Sequence, residues 1–232
     1  MIGGGYAIPA CENEKKILDV SCFTGKDYVV ERRTNRKFMN DKIVIDDDRL
    51  FLLLEGVVVN NWDLVRKHKA NSWQDCVRLM YDSLGDVFYK EFRGTFCGCI
   101  YNKAQDKWTF FTDHIGDKQI LYAKLPQGLV VATEINYVAE TLKHNGCSLS
   151  LDREGAYMAL TLGYVIEDKT LFSEVHKVPA GHYLQYDGKR LQEVQYHRFS
   201  FRPVDISVED AVEEIDTRFR ESVKLNFEKD KE

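Results

Sequence analysis

The sequence predicts a mixed α/β fold, and three observations carry that prediction. Residues 50–59 read LFLLLEGVVV, an apolar run rich in β-branched side chains that is typical of a strand buried on both faces. Residues 95–112 predict an antiparallel β-hairpin, since two apolar segments flank the polar turn NKAQD. Residues 72–84 have helical periodicity and follow Ser72, a residue type that caps helix N-termini well.

The remaining elements follow from the same patterns, taken in chain order. Further strands are predicted at 17–20, 27–32, 42–46, 119–123, 129–133, 182–186 and 190–197. Further helices are predicted at 62–69, 134–142, 153–162 and from 208 onward. Asp63, Asp152 and Ser207 are the predicted N-caps of three of these helices.

Length and composition place the chain among ordinary globular proteins. A chain of 232 residues can bury about 70–75% of its unfolded surface, and 44% apolar with 30% charged residues excludes a disordered chain. The net charge of −5 gives no reason to expect nucleic acid or an anionic membrane as a partner. No apolar run reaches the roughly 18 residues of a membrane span, and the N-terminus lacks a signal-peptide pattern. We therefore expect a cytosolic protein.

The spacing of cysteine and histidine predicts neither a disulfide scaffold nor a metal site. Six cysteines are scattered along the chain, and Cys97 and Cys99 place two thiols on one face of a strand without a second pair. We interpret the cysteines as small buried apolar residues in a reducing compartment. The histidines lack metal-ligand spacings, and His114, Asp117 and His182 are typical of turns. No phosphate-binding loop occurs, so ATP is not expected to bind this chain alone.

Six short motifs follow one another over residues 50–200. They are Phe92-x-Gly94-x-Phe96, Asp113-x-x-Gly116-x-Lys118-x-x-x-Tyr122, Val131–Ile135, Leu151–Glu154, Thr170–Phe172 and Val178–Leu184. In this order and spacing they resemble the N-terminal glutaminase domain of asparagine synthetases, which is a class II glutamine amidotransferase. The resemblance implies a four-layer αββα sandwich of the N-terminal-nucleophile hydrolase type, with two mainly antiparallel sheets. It also implies a domain over residues 1–200, while residues 201–232 form a linker and helix that lead into an ATP-pyrophosphatase domain.

Positions that carry catalysis in that family hold other residues here. The resemblance places Ile2 at the position of the N-terminal cysteine nucleophile, whose own α-amine serves as the base. It places Glu55 at the position of the oxyanion-hole asparagine, and an ionised carboxylate accepts hydrogen bonds and repels an oxyanion. Gly56 matches the family's glycine, either as a vestigial substrate-binding residue or as a glycine needed for close backbone approach.

Two further substrate contacts of the family are replaced. Val57 stands at the position of a substrate-binding glutamate, and Trp73 at that of the aspartate that binds the glutamine α-amine. Trp73 either fills the former substrate pocket or packs at the surface. The family's arginine for the glutamine carboxylate has no firm counterpart. Arg32 or Arg33 lies at a plausible distance before Glu55, and a solvated arginine at a strand edge is our preferred interpretation.

These replacements predict a degenerate glutaminase-like domain, a pseudoenzyme domain without catalytic residues or a metal. The resemblance implies that it docks on the synthetase domain of the same parent, an amide- or lactam-forming ligase that uses ATP and Mg²⁺. Self-association is a further expectation, because the last helix exposes apolar surface without that domain. One alternative is an active amidotransferase, converting glutamine to glutamate and ammonia after cleavage before Cys11. A second alternative is a stand-alone binding or scaffold module.

Overall fold

The chain forms eleven β-strands and five α-helices across the residues that the computed structural model describes, 19–35 and 37–229. The strands are β1 (Asp19–Thr24), β2 (Val29–Thr34), β3 (Ile43–Asp46), β4 (Leu50–Val58), β5 (Gly94–Asn102), β6 (Lys107–Thr112), β7 (Leu121–Leu125), β8 (Gly128–Ala132), β9 (His176–Lys177), β10 (His182–Tyr186) and β11 (Leu191–Gln195). The helices are α1 (Asn61–His68), α2 (Trp73–Leu84), α3 (Ile135–His144), α4 (Arg153–Leu162) and α5 (Val208–Lys229), and a 3₁₀ helix spans Gly85–Glu91.

Six strands form a central sheet in the order β11-β10-β6-β5-β4-β3, and every neighbouring pair is antiparallel. A three-stranded sheet has the order β8-β7-β9, and β1 pairs with β2 in a two-stranded sheet. Both smaller sheets are also antiparallel. The predicted hairpin is confirmed as β5 and β6, in which Asn102 pairs with Lys107 next to the turn.

The two faces of the central sheet enter different hydrophobic cores. One core joins the sheet to α1, α2 and the 3₁₀ helix through buried residues that include Leu52, Leu54, Leu64, Met80 and Phe88. The other core joins the sheet to the smaller sheets through residues that include Phe51, Cys99, Phe110, Leu129 and Val178. A third core packs α3 on the far side of the three-stranded sheet, with Leu121, Val130, Val138 and Leu142. The layers therefore run helices, sheet, sheets, helix, which confirms the predicted four-layer αββα architecture.

The apolar sequence of β4 follows from burial of the strand on both faces. Leu52 and Leu54 point into the helix-side core, whereas Phe51 is fully buried in the core on the opposite face. Because successive side chains of a strand point to opposite faces, a strand covered on both sides needs an unbroken apolar run. The prediction of a doubly buried strand over 50–59 is confirmed, with its end one residue earlier at Val58.

Most predicted helix N-caps are confirmed. Side chains at the caps of α2, α4 and α5 accept hydrogen bonds from backbone N–H groups three residues further on, at 3.1, 2.8 and 3.0 Å for Ser72, Asp152 and Ser207. The cap predicted at Asp63 is wrong, since Asp63 lies in the first turn of α1 and Asn60 holds the N-cap position. The Asn60 side chain leaves the helix uncapped because it bonds Glu91 O and Arg93 N, at 3.0 and 2.8 Å.

Other differences from prediction fall where the apolar signal is weak. Residues 17 and 18 of the first predicted strand lie outside the described residues, and β1 continues to Thr24. Strand β7 begins at Leu121 rather than at 119, because Asp113 holds the preceding residues in a turn. No pattern predicted the 3₁₀ helix at Gly85–Glu91, where Gly85 signals the end of α2.

Helix α5 lies apart from these layers, and most of its side chains are exposed. Among the helices that the structure describes, none combines the length and the hydropathy required to cross a membrane. The division of the chain at residue 200 stays a prediction.

Candidate functional site

Glu55 lies near the end of β4 and is held by β2 of the two-stranded sheet. Its carboxylate forms an ion pair with Arg32 and accepts a hydrogen bond from the Thr34 hydroxyl at 3.0 Å. Arg32 and Thr34 are two residues apart in a strand, so both side chains leave it on the same face. The carboxylate therefore has a charged partner and a neutral partner within the fold itself.

Arg32 is shielded from solvent, which contradicts the solvated strand-edge interpretation. Its side chain is only 10% exposed, and that of Glu55 is 23% exposed. Arg33 points elsewhere, because it pairs with Glu31 and lies over the ring of Tyr137 at 5.9 Å. Of these two candidate arginines, Arg32 is thus the one that reaches the end of β4, and it already holds an internal carboxylate there.

Lys42 adds a second cation to this cluster. Its ammonium group donates to the Asn35 carbonyl oxygen at 2.8 Å and to the Asn35 side-chain oxygen at 3.1 Å. Burial lowers the pKa of Lys42, the nearby Arg32 and Lys118 cations lower it further, and the Glu55 carboxylate opposes both effects. Near the end of β4, the negative charge of the Glu55 carboxylate is therefore balanced by nearby cations.

Gly56 has a structural reason to be glycine. Its φ is +117°, and a Cβ atom at this position would lie 2.2 Å from the Thr95 carbonyl oxygen and 2.8 Å from the Phe96 Cα atom. Side chains cannot occupy such a position without moving the backbone of β5. Close approach between β4 and β5 accounts for Gly56 without a substrate.

Trp73 is a core residue, so the alternative of a surface tryptophan is wrong. It is only 4% exposed, its indole N–H donates to the Asp41 carbonyl oxygen at 3.1 Å, and its ring centroid lies 5.2 Å from that of Phe92. Trp73 also lines a surface cavity of about 380 Å³. That cavity is lined by Asn40, Lys42, Ile43, Trp62, Ser72, Trp73 and Gln74.

Asp113 organises the turn between β6 and β7. It is fully buried, and its carboxylate accepts hydrogen bonds from the backbone N–H groups of Ile115, Asp117 and Lys118 at 2.9–3.1 Å. Its carbonyl oxygen accepts from Gly181 N at 3.2 Å, which ties the turn to β10. Asp113, the first residue of the second motif, therefore holds the scaffold together.

Two thiols line the inner face of β5, as predicted from their spacing. Cys97 and Cys99 are both buried in the core between the sheets, and burial raises the pKa of each thiol to about 12. Thiols in this state are poor nucleophiles and poor metal ligands. Among residues 19–35 and 37–229, no three histidine, cysteine or acidic side chains come together as a metal site.

Sequence reasoning missed Asp41 altogether. This buried carboxylate accepts hydrogen bonds from Val58 N at 3.0 Å, from the Asn61 side chain at 2.8 Å and from the Lys229 ammonium group at 2.6 Å. Asp41 sits in the polar run MNDK, which carries no periodicity that could mark it. Ile2 and Cys11, for which the sequence made predictions, lie outside the described residues.

Antiparallel sheets packed face to face between helical layers are the arrangement expected of a class II amidotransferase scaffold. The chain belongs to the glutamine amidotransferase domain family, because residues 41–197 match the model described as a glutamine amidotransferase domain. This match confirms that the sequence motifs belong to a glutamine amidotransferase domain.

Two curated fungal proteins are similar over part of the chain. Amidase chyE of Penicillium rubens is 27% identical over 198 residues, which is 79% of this chain and 28% of that protein. Amidase chry2 of Gibberella zeae is 29% identical over 119 residues, which is 51% of this chain and 16% of that protein. The chain thus matches less than a third of the length of either relative.

Two solved enzyme structures are also similar. Glutamine phosphoribosylpyrophosphate amidotransferase from B. subtilis, complexed with ADP and GMP, aligns with a TM-score of 0.45 and 10% identity. That alignment covers 73% of this chain and 35% of the enzyme. A structure titled as the allosteric regulatory enzyme of purine biosynthesis aligns with a TM-score of 0.45 and 11% identity, covering 67% of this chain and 30% of that one.

Proposed function

We propose that this glutamine amidotransferase-like domain does not hydrolyse glutamine. It serves instead as a docking domain of an asparagine synthetase-related enzyme that forms amides or lactams with ATP. The observation that carries the proposal is the pairing of Glu55 with Arg32 and Thr34 at the end of β4. An amidotransferase needs hydrogen-bond donors for an oxyanion at this strand end, and the side chain found there is an acceptor.

The negative charge of the Glu55 carboxylate disfavours the transition state of amide hydrolysis. A tetrahedral intermediate carries a negative oxygen, and loss of one donor to it costs about 10²–10³ in rate. A carboxylate at the same position adds repulsion in place of the missing donor. The resemblance also places Ile2 at the nucleophile, and loss of a nucleophile costs on the order of 10⁶ in rate. The two replacements act on the same step, so their costs do not simply add, and loss of the nucleophile is the larger of the two.

The pairing of Arg32 also argues against binding of glutamine. A guanidinium group that is free and aimed into a pocket is suited to bind the α-carboxylate of an amino acid. Arg32 instead pairs with Glu55, so its guanidinium group is already engaged by a carboxylate of the protein itself. Glutamine would have to displace an intramolecular partner, which is already held in place by the fold.

A docking role is supported by the exposed apolar surface on α4 and the segment that follows it. Leu160 is 88% exposed, and other exposed apolar residues of this surface are Leu151, Tyr157, Leu162, Tyr164 and Leu171. Exposed apolar patches mark interaction sites in soluble proteins. We assign this surface to the synthetase domain of the parent enzyme, which would bind the ATP and Mg²⁺ that this chain has no loop to hold.

An active amidotransferase is the rival function, and two observations favour it. The chain belongs to the glutamine amidotransferase domain family, and both curated relatives are named as amidases. Cleavage before Cys11 would create an N-terminal thiol whose α-amine could act as base. In this rival, glutamine is hydrolysed to glutamate and ammonia.

Intact mass and a glutaminase assay on the same purified chain separate the two functions. We expect a mass that includes residues before Cys11, and glutamate release from glutamine at the rate of a no-protein blank. A mass that begins at Cys11, together with glutamate release that is lost in Cys11→Ala, would establish the rival. Cys22→Ala is the matched control, since Cys22 is an exposed cysteine of β1.

A further inference from the structure

Helix α5 turns its polar side toward the rest of the protein. Together with the end of the central sheet it encloses an open cleft of about 1210 Å³. The helix contributes mainly polar side chains to the cleft: Asp210, Glu213, Glu214, Thr217, Arg218, Glu221, Ser222 and Asn226. The facing wall includes Arg93, Thr95 and His114. The domain therefore does not cover the apolar side of its own helix.

The opposite side of α5 is an exposed apolar stripe. It consists of Val208, Val212, Ile215, Phe219 and Val223, and Phe219 at its centre is 65% exposed. From Val212 onward, the apolar residues of the stripe are three, four and four positions apart. This spacing over eleven residues keeps their side chains on one face of a nearly straight helix. A helix of 22 residues is about 33 Å long, so the stripe is long enough for helix–helix packing.

The end of α5 is fixed to the body of the domain. Lys229 is buried at the last turn, and its ammonium group lies 2.6 Å from the Asp41 carboxylate. Because Asp41 is itself bonded to Val58 N and to the Asn61 side chain, the ion pair connects α5 to the end of β4 and the start of α1. This connection holds the stripe facing away from the domain.

Charge along α5 is divided between its two halves. Among the charged side chains that neither line the cleft nor pair with Asp41, Glu209 and Asp216 lie in the first half of the helix, whereas Arg220, Lys224 and Glu228 lie in the second half. Two such helices packed in parallel would bring the acidic halves together. Packed antiparallel, each acidic half would lie beside a basic half. Like charges that meet across an interface are destabilising, so the sequence favours the antiparallel arrangement.

We propose that the stripe is covered by the same stripe of a second copy of this chain, packed antiparallel around Phe219. The contact is isologous: both helices contribute the same stripe, and where residue i of one helix meets residue j of the other, residue j of the first also meets residue i of the second about a twofold axis. Apolar burial supplies the affinity and the divided charge sets the direction. The proposal concerns α5 alone and does not depend on whether the domain hydrolyses glutamine.

Sedimentation equilibrium of the full chain tests the association. We expect a dimer that Phe219→Lys weakens at least tenfold, since a buried aromatic at the centre of an interface contributes about 1.4 kcal/mol or more. Thr217→Lys adds the same charge on the cleft side of α5 and should leave the dissociation constant within about twofold. A far-ultraviolet circular dichroism spectrum that matches wild type shows that each variant is folded.

Crosslinking tests the direction of packing. Val208→Cys and Phe227→Cys chains are mixed, treated with a short bis-maleimide and digested, and the linked peptides are identified by mass. We expect links between positions 208 and 227 of different chains and none between two copies of 208. Three results overturn the proposal: a monomeric wild-type chain, a dimer unaffected by Phe219→Lys, or links between two copies of 208. The first of these assigns the stripe to a different partner.

Discussion

Arg32 and Glu55 lie on strands of two different sheets and form an ion pair that joins those sheets. Arg32 belongs to the two-stranded sheet, and Glu55 belongs to the central six-stranded sheet. Thr34, on the same face of β2 as Arg32, donates to the second carboxylate oxygen of Glu55 at 3.0 Å. The pair therefore has a structural role, at the position where the sequence resemblance places the oxyanion-hole asparagine.

Glu55→Ala should destabilise the protein by about 1–3 kcal/mol, because it leaves the mostly buried guanidinium of Arg32 without a carboxylate. This estimate is below the range for fully buried pairs, since Glu55 is 23% exposed. Urea unfolding measures the loss in Glu55→Ala. A double-mutant cycle then compares Arg32→Met, Glu55→Met and Arg32→Met/Glu55→Met. The double variant should lose less than the two single losses combined. Additive losses would show that the two side chains do not interact.

Gly56→Ala should cost at least about 3 kcal/mol, because a Cβ atom would lie 2.2 Å from the Thr95 carbonyl oxygen at a φ of +117°. Gly146 is the matched control. It also has a positive φ, +75°, but its Cβ would meet no atom within 4 Å, so Gly146→Ala should cost about 1 kcal/mol. Thermal or urea unfolding measures both. Equal losses would show that backbone conformation rather than close approach requires glycine at position 56.

Cys97 and Cys99 should not react with maleimide in the folded protein. Burial raises the pKa of both thiols to about 12, so almost no thiolate forms near neutral pH. The exposed Cys22 should be modified within minutes under the same conditions. Peptide mass mapping before and after addition of urea measures the modification at each position. Rapid native labelling of Cys97 or Cys99 would indicate that the sheets separate readily.

The fold could be predicted because its strongest elements carry local signals. β4 is a long apolar run, the caps at Ser72 and Asp152 precede periodic segments, and β10 lies between the turn residues Gly181 and Gly188. Each signal reflects covalent geometry or burial within a few residues of chain. The stacking of the layers was implied by the family resemblance and is confirmed by the three hydrophobic cores.

The charged contacts of the site could be predicted only in part. Arg32 and Glu55 are 23 residues apart, and no periodicity connects a strand of one sheet with a strand of another. The sequence indicated that a carboxylate stands at the end of β4, but its partner depended on how β2 lies over that end. Asp41 and Lys229 are 188 residues apart, and their contact is likewise a consequence of tertiary structure.

His114 should make the folded state less stable at acidic pH. Burial lowers its pKa, the neighbouring His197 ring 4.5 Å away acts in the same direction, and the Lys90 carbonyl and Asp113 oppose them. The unfolded chain therefore binds the proton more tightly than the folded one. The stability from this group is present above the usual histidine pKa of about 6.5 and is lost as pH falls below it.

His114→Gln should consequently reduce the loss of unfolding free energy between pH 7.5 and pH 5. The measurement is urea unfolding at both pH values for wild type, His114→Gln and His144→Gln. His144 is the matched control because it is an exposed histidine in the last turn of α3. Carboxylates titrate in the same pH range, but their contribution is common to all three proteins. An unchanged pH dependence in His114→Gln would contradict the prediction.

Lys229→Met should release the end of α5 from the domain, because it removes the ammonium partner of the buried Asp41 carboxylate. We expect the amides of residues 222–229 to exchange with solvent at least about tenfold faster, as the last two turns are otherwise mostly exposed. Lys224→Met is the matched control, since Lys224 is exposed and lies 3.9 Å from Glu228 within the helix. Hydrogen exchange with mass detection measures both variants. Equal acceleration in the two would mean that loss of a helix charge, and not loss of the Asp41 contact, loosens α5.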